Sequence, residues 1–272
     1  MTNSDFQLKS LLESATVAAT KAGAKIMEIY QSGFEVIQKS DHSPLTEADR
    51  AAHTIIFAEL SSHGIEIVSE EGDSISFKKR GKLAKVWMID PLDGTKEFIN
   101  HNGEFTVNIA LIEYGVPILG VVYVPAKKCL YIGANGFKSK KYELKNHDSP
   151  LWNTNGRSLP IHSSNKQLRV VASKSHLSEE TKNYIRKLQD SHGKVEFLSA
   201  GSSLKLCLVA EGEADLYPRL SPTMEWDTAA GDAVCRHAGC RVLNFKTGEP
   251  LIYNKENLLN PWFKVVAHGR EF

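Results

Sequence analysis

The chain has 272 residues, 42% of them hydrophobic and 24% charged, enough to bury a large core in one domain or in two small ones. A formal net charge of +1 gives no general attraction to nucleic acid, so any anionic ligand must be drawn in locally by placed cations. The four cysteines, Cys129, Cys207, Cys235 and Cys240, form no CxxC pair and read as small buried thiols rather than a metal half-site.

Ser4-Asp5-Phe6-Gln7 reads as a capping box, and Leu8, Leu11, Leu12, Ala15, Ala19, Ala22 and Ile26 then recur at three- and four-residue steps. That pattern predicts an amphipathic helix packed on a core. The N-terminus carries no signal-peptide apolar region and no run has the length of a membrane span. A cytoplasmic protein without an integral membrane segment is expected. A peripheral seat on the cytoplasmic face of the inner membrane is the alternative, for which this alanine-rich face is a poor lipid anchor. A hairpin-like piece at 31–39 precedes a second helix, which starts at Thr46, whose hydroxyl can cap the amide three residues on. That helix turns Ala48, Ala51, Ala52, Ile55, Ile56 and Leu60 inward and stops near Gly64.

Two apolar runs then end in acids. Ile65-Glu66-Ile67-Val68 leads into Ser69-Glu70-Glu71-Gly72-Asp73, and Val86 to Ile89 leads into Asp90-Pro91-Leu92-Asp93-Gly94-Thr95. Core strands have no packing reason to stop in carboxylates, whereas a hard divalent cation needs oxygen ligands on a rigid support. Asp90 to Thr95 offers two carboxylates, the Leu92 carbonyl and the Thr95 hydroxyl, and the Gly94 and Thr95 amides open a short helix through Asn100 that can receive phosphate oxygens. Strands at 105–113, 117–124 and 129–133, separated by short turns, predict an antiparallel meander, with 138–145 as a basic exposed edge.

Asn, Asp, Ser, Pro and Gly cluster at 147–157, which places a boundary between an N-terminal α+β domain, 1–150, and a C-terminal α/β domain, 151–272. Beyond it strands at 169–172, 195–198, 214–217 and 241–243 alternate with helices at 178–189, 202–210 and 227–238, an α/β layer. The second domain supplies Asp227, in Glu225-Trp226-Asp227.

Singly, Asp227 reads as a helix N-cap and Asp49 as a first-turn acid complementing a helix dipole. Five acids converging on one cleft (Asp49, Glu70, Asp90, Asp93 and Asp227) would be severely destabilising without cations. Oxygen-only donors favour magnesium over zinc, and magnesium with open positions points to phosphoryl chemistry, with two ions roughly 3.5–4 Å apart serving the attacking and leaving oxygens.

In Asp49, Glu70-Glu71, Asp90-Pro91-Leu92-Asp93-Gly94-Thr95 and Trp226-Asp227-Thr228-Ala229-Ala230, taken in order, the chain resembles the lithium-sensitive, magnesium-dependent phosphatases of the inositol monophosphatase superfamily. The resemblance implies the layered αβαβα sandwich of the sugar phosphatases. It implies two to three Mg2+: Glu70, Asp90 and the Leu92 carbonyl at the first, Asp90, Asp93 and Asp227 at the second, and Glu70 again at a weaker third. Asp49 and Thr95 would take the proton from the attacking water, with no phosphoenzyme.

Ser173-Lys174-Ser175-His176 and Gly201-Ser202-Ser203-Leu204-Lys205 resemble the nucleotide-binding segments of the superfamily's bacterial bisphosphate nucleotidase branch. Ser173, His176, Gly201 and Lys205 would then hold a nucleotide and its 5′-phosphate, while Glu70, Leu92, Asp93, Gly94, Thr95 and Asp227 face the phosphate that leaves. Such an enzyme removes the 3′-phosphate of adenosine 3′,5′-bisphosphate, a by-product of sulfate activation, to give AMP. As alternatives, His176 caps the next helix and Lys205 is a solvated helix lysine. An inositol monophosphatase is the nearest alternative function. A haloacid-dehalogenase-type phosphatase is disfavoured because two residues, not one, separate Asp90 from Asp93. A silent binding protein would be expected to lose Asp49 or Thr95. A calcium module needs a contiguous loop, and a nucleic-acid binder needs a basic face. No stable nucleic-acid partner is expected, and a monomer and a homodimer both remain open.

Overall fold

The computed structural model describes residues 3–34, 36–38, 44–147, 155–162, 167–173 and 178–272. Helix α1 (Asn3–Ser32) runs past both ends of its expected span, so Ser4 lies within the helix rather than at its cap. Strands β1 (Val36–Gln38) and β2 (Pro44–Thr46) pair antiparallel and deliver the chain into α2 (Glu47–Ser61). The Thr46 hydroxyl accepts from the Ala48 amide at 3.2 Å, which starts α2 at the expected residue.

A seven-stranded sheet follows in the order β3 (Ile67–Ser69), β4 (Lys85–Asp93), β5 (Thr106–Glu113), β6 (Val116–Val124), β7 (Cys129–Ala134), β8 (Phe137–Glu143) and β9 (Arg157–Ser158). Only β3 and β4 are parallel, joined through a short α3 (Phe77–Arg80); β4 to β9 form the antiparallel meander. β8 is not an edge. β9 pairs with it through Lys140↔Ser158 and Lys141↔Arg157, and Ser139 between its lysines is buried, donating to the Val234 carbonyl.

The apolar runs of β4 and β5 are continuous because both faces of the sheet are covered. Trp87, Ile89, Val107, Ile109 and Leu111 point to one face, where α1 and α2 pack; Val86, Met88, Ala110 and Ile112 point to the other. Leu11, Leu12, Ala15, Ala18, Ala19, Ala22 and Ile26 of α1 are all buried in the first of these cores. The helix face that could have met lipid is thus spent inside the protein, and no described helix is long and apolar enough to cross a membrane.

The second sheet has the order β11 (Val195–Ser199), β10 (Leu168–Ala172), β12 (Leu216–Arg219), β14 (Phe263–Val266), β13 (Arg241–Asn244). Its first three strands are parallel, linked by α5 (Glu179–His192) and α6 (Leu204–Glu211), as parallel neighbours require. The chain's last strand, β14, inserts antiparallel between β12 and β13 and was not anticipated. α6 and α7 (Ala229–His237) lie between the two sheets in one core with residues of both, while Ile185 and Leu188 of α5 cover the outer face of the second sheet. The result is the expected αβαβα layering. α7 reaches the first sheet closely because β6 carries Gly120, where a Cβ would lie 2.3 Å from the Ala230 carbonyl oxygen. The expected boundary at 147–157 falls largely on 148–154, outside the described residues. All four cysteines are free and buried.

Candidate active site

β4 carries the acids at its end. Its pairing with β5 shifts register between Asp90 and Asp93, and the Leu92 amide donates to Asp90 Oδ1 at 3.0 Å, closing a turn around Pro91. Gly94 then takes φ +91°, a left-handed conformation that suits glycine, and the chain enters α4 (Thr95–Ile99). A Cβ on Gly94 would also meet Glu97 Oε2 at 3.2 Å and Ser202 Cβ at 3.3 Å. The two aspartates and the first turn of α4 therefore share one mouth.

Glu70 follows the last residue of β3, and its amide donates to the Ile89 carbonyl at 3.2 Å, which sets it beside Asp90. Asp227 arrives from the other half of the chain. It closes a 3-10 turn, Glu225–Asp227, by accepting from the Met224 amide at 2.9 Å; α7 begins only at Ala229, so Asp227 caps that turn and not the long helix. The turn is anchored by the buried Glu225 carboxylate, which accepts from the Asn254 and Lys255 amides and from Lys255 Nζ.

Glu70, Asp90 and Asp227 each bring a carboxylate oxygen within 4.8 Å of the other two. Desolvation pushes Asp90 well above the usual carboxylate range, and the charges of Glu70, Asp93, Asp227 and Asp49 push it further. Desolvation and then Asp93 raise Asp227 likewise. Asp93 is lifted to about 6 by desolvation, with Lys205 and the Ser203 amide opposing. Acids held at this closeness could hold an oxygen-coordinated divalent cation, whose charge would offset their mutual repulsion. A second grouping, His162, Glu211 and Glu213, differs in kind. There Glu211 is engaged by Tyr131 and by Lys141 at 2.8 Å, and Glu213 by His162 at 2.9 Å.

Asp49 lies in the first turn of α2 and is also hydrogen-bonded to Thr95. Oδ2 accepts from the Thr46 amide at 2.7 Å and its hydroxyl at 2.6 Å, and Oδ1 receives the Thr95 hydroxyl at 3.2 Å. Thr95 Oγ1 lies 3.5 Å from the Leu92 carbonyl oxygen.

Glu70, Asp90, Asp93, Thr95 and Asp227 line a cleft of about 290 Å³ that also receives Ser173, Ser202, Lys205, Tyr217 and Arg219. Lys205 is not a solvated helix lysine. It is buried, donates to the Ser202 carbonyl at 2.5 Å and the Ala200 carbonyl at 3.4 Å, and sits 5.6 Å from the centre of the Tyr217 ring. Burial lowers it to about 8. The Gly201 amide is taken by Glu104 Oε2 at 2.8 Å, and it is the neighbouring Ser202 that lines the cleft. His176 lies outside the described residues. Arg219 and Tyr217 were not foreseen. Their strand was read from its apolar residues alone, and an arginine at a parallel strand's carboxyl end, where ligands of α/β sheets bind, was the available signal.

The sequence profile of the inositol monophosphatase family matches residues 7–268. The chain belongs to the inositol monophosphatase family. Within it the chain is 44% identical over 263 residues to the 3′(2′),5′-bisphosphate nucleotidase CysQ of Escherichia coli K12, covering 95% of this chain and 100% of that one. A nucleotidase of the same name from Buchnera aphidicola is 42% identical, covering 90% of this chain and 88% of that one. Among solved structures, CysQ from Bacteroides thetaiotaomicron, a bacterial member of the family, superposes with TM-score 0.86 at 47% identity, over 96% of this chain and 98% of that one. The extragenic suppressor protein SuhB from Bartonella henselae superposes with TM-score 0.73 at 25% identity, over 95% of this chain and 94% of that one.

Proposed function

We propose that this protein is a magnesium-dependent phosphomonoesterase that hydrolyses the 3′-phosphate of adenosine 3′,5′-bisphosphate to AMP and phosphate. One observation carries the reading: Glu70 and Asp90, from the ends of neighbouring strands of the first sheet, and Asp227, from the 225–227 turn, meet beside the Asp49–Thr95 pair, in a cleft that also holds Lys96, Lys205 and Arg219. Glu70, Asp90, Asp227, Asp93 and the Leu92 carbonyl would hold two to three Mg2+. Bound magnesium would lower the pKa of the attacking water and neutralise charge developing on the phosphoryl oxygens.

The chain's own residues do the rest. Thr95 Oγ1, whose hydroxyl donates to Asp49 Oδ1, would accept a proton from the attacking water as its own passes to Asp49. Gly94 and Thr95 line the cleft at the start of α4, and their amides would orient the phosphate for in-line attack. A substrate with a second, unreacting phosphate gives Lys205 and Arg219 a ligand, and Arg219 Nε, buried with no hydrogen-bond partner among the described residues, supports an anionic occupant. Ser173 at the end of β10 would contact the nucleoside. The homologous nucleotidases support the same substrate over an inositol phosphate, which has no second phosphate to offer.

The decisive assay measures phosphate release from adenosine 3′,5′-bisphosphate, AMP and inositol 1-phosphate, with magnesium and with chelator. Magnesium-dependent release from the bisphosphate at kcat/KM at least ~10²-fold above inositol 1-phosphate is expected, the scale of losing one buried charged contact. Equal or greater turnover of inositol 1-phosphate would overturn the substrate assignment.

A further inference from the structure

Asn108 is a fully buried amide in the middle of β5, in a run that is otherwise apolar from Val107 to Ile112. Nothing in sheet packing asks for it. Its register partners are Asp90 on β4 and Val122 on β6, and it points, with Ala110 and Ile112, to the face covered by α6 and α7. There its side chain is satisfied from both ends. Nδ2 donates to Asp93 Oδ2 at 3.3 Å, and Oδ1 accepts from the Ser203 hydroxyl at 2.7 Å. Ser203 closes the triangle, because its amide donates to the same Asp93 Oδ2 at 2.6 Å. Thr106, also buried, adds contacts of 3.5 Å to Asp93 Oδ2 and 2.9 Å to Ser203 Oγ.

The three contacts to Asp93, from Asn108, Thr106 and the Ser203 amide, all fall on Oδ2 and leave Oδ1 for the cleft that Asp93 lines. Asp90, by contrast, is held by the Leu92 amide of its own turn, and the grouping of Glu70, Asp90 and Asp227 does not include Asp93. The oxygens therefore divide into a set organised by β3, β4 and the 225–227 turn, and one carboxylate organised by β5 and the start of α6. Ser203 reaches Asp93 from a turn bent at Ser202, which sits at φ +44° and whose hydroxyl is tied to the Glu104 carbonyl at 2.8 Å.

We propose that Asn108, acting with Ser203, is a positioning residue that selects which oxygen of Asp93 is presented to a divalent cation, so that affinity for the cation that Asp93 would share with Asp90 and Asp227, more than for the one at Glu70, Asp90 and the Leu92 carbonyl, depends on β5. The inference rests on the divalent-cation reading given above. Groups of this kind, which orient a ligand through hydrogen bonds, commonly change metal affinity ~10–100-fold when removed.

Calorimetric titration of Mg2+ into the full chain, beside thermal melts, tests it with Asn108→Leu, Ser203→Ala and Ser203→Thr. In Asn108→Leu one class of Mg2+ site is expected to weaken ~10–100-fold while the other stays within ~3-fold. The magnesium concentration giving half-maximal phosphate release should rise by the same factor, with kcat at saturating magnesium retained within ~10-fold. Ser203→Ala keeps the amide and loses the hydroxyl, so it should weaken the same class by ~3–10-fold, while Ser203→Thr restores it. Should Asn108→Leu not fold, the serine pair decides alone. Unchanged affinities in folded variants, or an equal fall in both classes, would overturn the inference and leave the functional reading standing. A wild-type chain that binds no divalent cation removes both.

Discussion

The Thr95 hydroxyl donates to Asp49 Oδ1 at 3.2 Å, while the other Asp49 oxygen is fixed by the backbone and side chain of Thr46. A residue that caps α2 thus also orients the hydroxyl at the start of α4. The capping box and the candidate base are one arrangement, and the stability of α2's first turn sets the direction of the Thr95 proton.

Replacing Thr95 tests that arrangement. Thr95→Ala should cost ~10²–10⁴ in kcat, the usual contribution of a positioned proton acceptor, with the melting temperature little changed. Thr95→Ser keeps the hydroxyl and should recover most of the loss. Asp49→Asn should lose activity comparably and also lose about 1 kcal/mol of stability with its charged cap. Circular dichroism melts beside phosphate-release kinetics separate the two effects; wild-type turnover in Thr95→Ala would remove the proton-transfer role.

Asp90→Asn should move activity and stability in opposite directions. Asp90 is buried, and its largest burden is desolvation, with the charges of Glu70, Asp93, Asp227 and Asp49 adding to it. An amide keeps an oxygen for the Leu92 amide and removes the charge. Turnover should fall ~10³-fold or more with the metal ligand gone. The metal-free variant should melt above metal-free wild type. A lower melting temperature in chelator would show that the carboxylate is not a burden on the apo fold.

The same carboxyls fix a sign for pH. Asp90, Asp93 and Asp227 all have raised pKa in the folded chain, Asp93 to about 6. Such groups favour the fold fully below their unfolded pKa, near 4, and that contribution is lost as pH rises through the folded value. Metal-free protein should therefore lose stability between about pH 4 and 6 and, on account of the higher Asp90 and Asp227, beyond it. Magnesium binds the ionised form, so its stabilisation should grow over the same range. At 100 times Kd this amounts to about 2.7 kcal/mol, or roughly 5–10 °C. Scanning calorimetry at pH 5 and pH 8, with magnesium and with chelator, checks it; a magnesium shift that is larger at pH 5 contradicts it.

The converging acids were legible because carboxylates ending core strands break a packing rule, and a sequence shows broken rules. Glu70, Asp90 and Asp227 meet as their motifs implied. Asn108 also breaks a rule, as a buried amide within an apolar strand, but its partner Ser203 is 95 residues away and only the fold pairs them. Strand β9 escaped notice because two residues cannot establish a period, so β8 passed for an edge. β14 went unread although Phe263-Lys264-Val265-Val266 is a plain strand signal, since the expected alternation of strands and helices left no place for an antiparallel insertion. Lys205 was legible only in part. Helical position kept a solvated lysine open beside the phosphate-binding reading, and the approach of Tyr217 and the 200–202 carbonyls, which buries it, is visible only in the fold.

That burial gives Lys205 a testable titration. Desolvation lowers its pKa to about 8, with Asp93, Glu97 and Glu104 drawing it upward and Arg219 downward. At pH 7 it is a cation facing a cleft meant for an anion, and it loses that charge as pH passes about 8. KM for adenosine 3′,5′-bisphosphate should rise over pH 7–9 in the wild type, more than kcat falls. Lys205→Met should start with KM raised ~10-fold or more at pH 7, the loss of one charge-assisted contact, and show no further rise to pH 9. AMP, without a second phosphate, tests the assignment from the ligand side: its weak inhibition should be much less sensitive to the substitution if Lys205 pairs with the 3′-phosphate, and equally sensitive if it pairs with the 5′-phosphate. The nucleotide reading requires the second result, because AMP retains only the phosphate that is not cleaved.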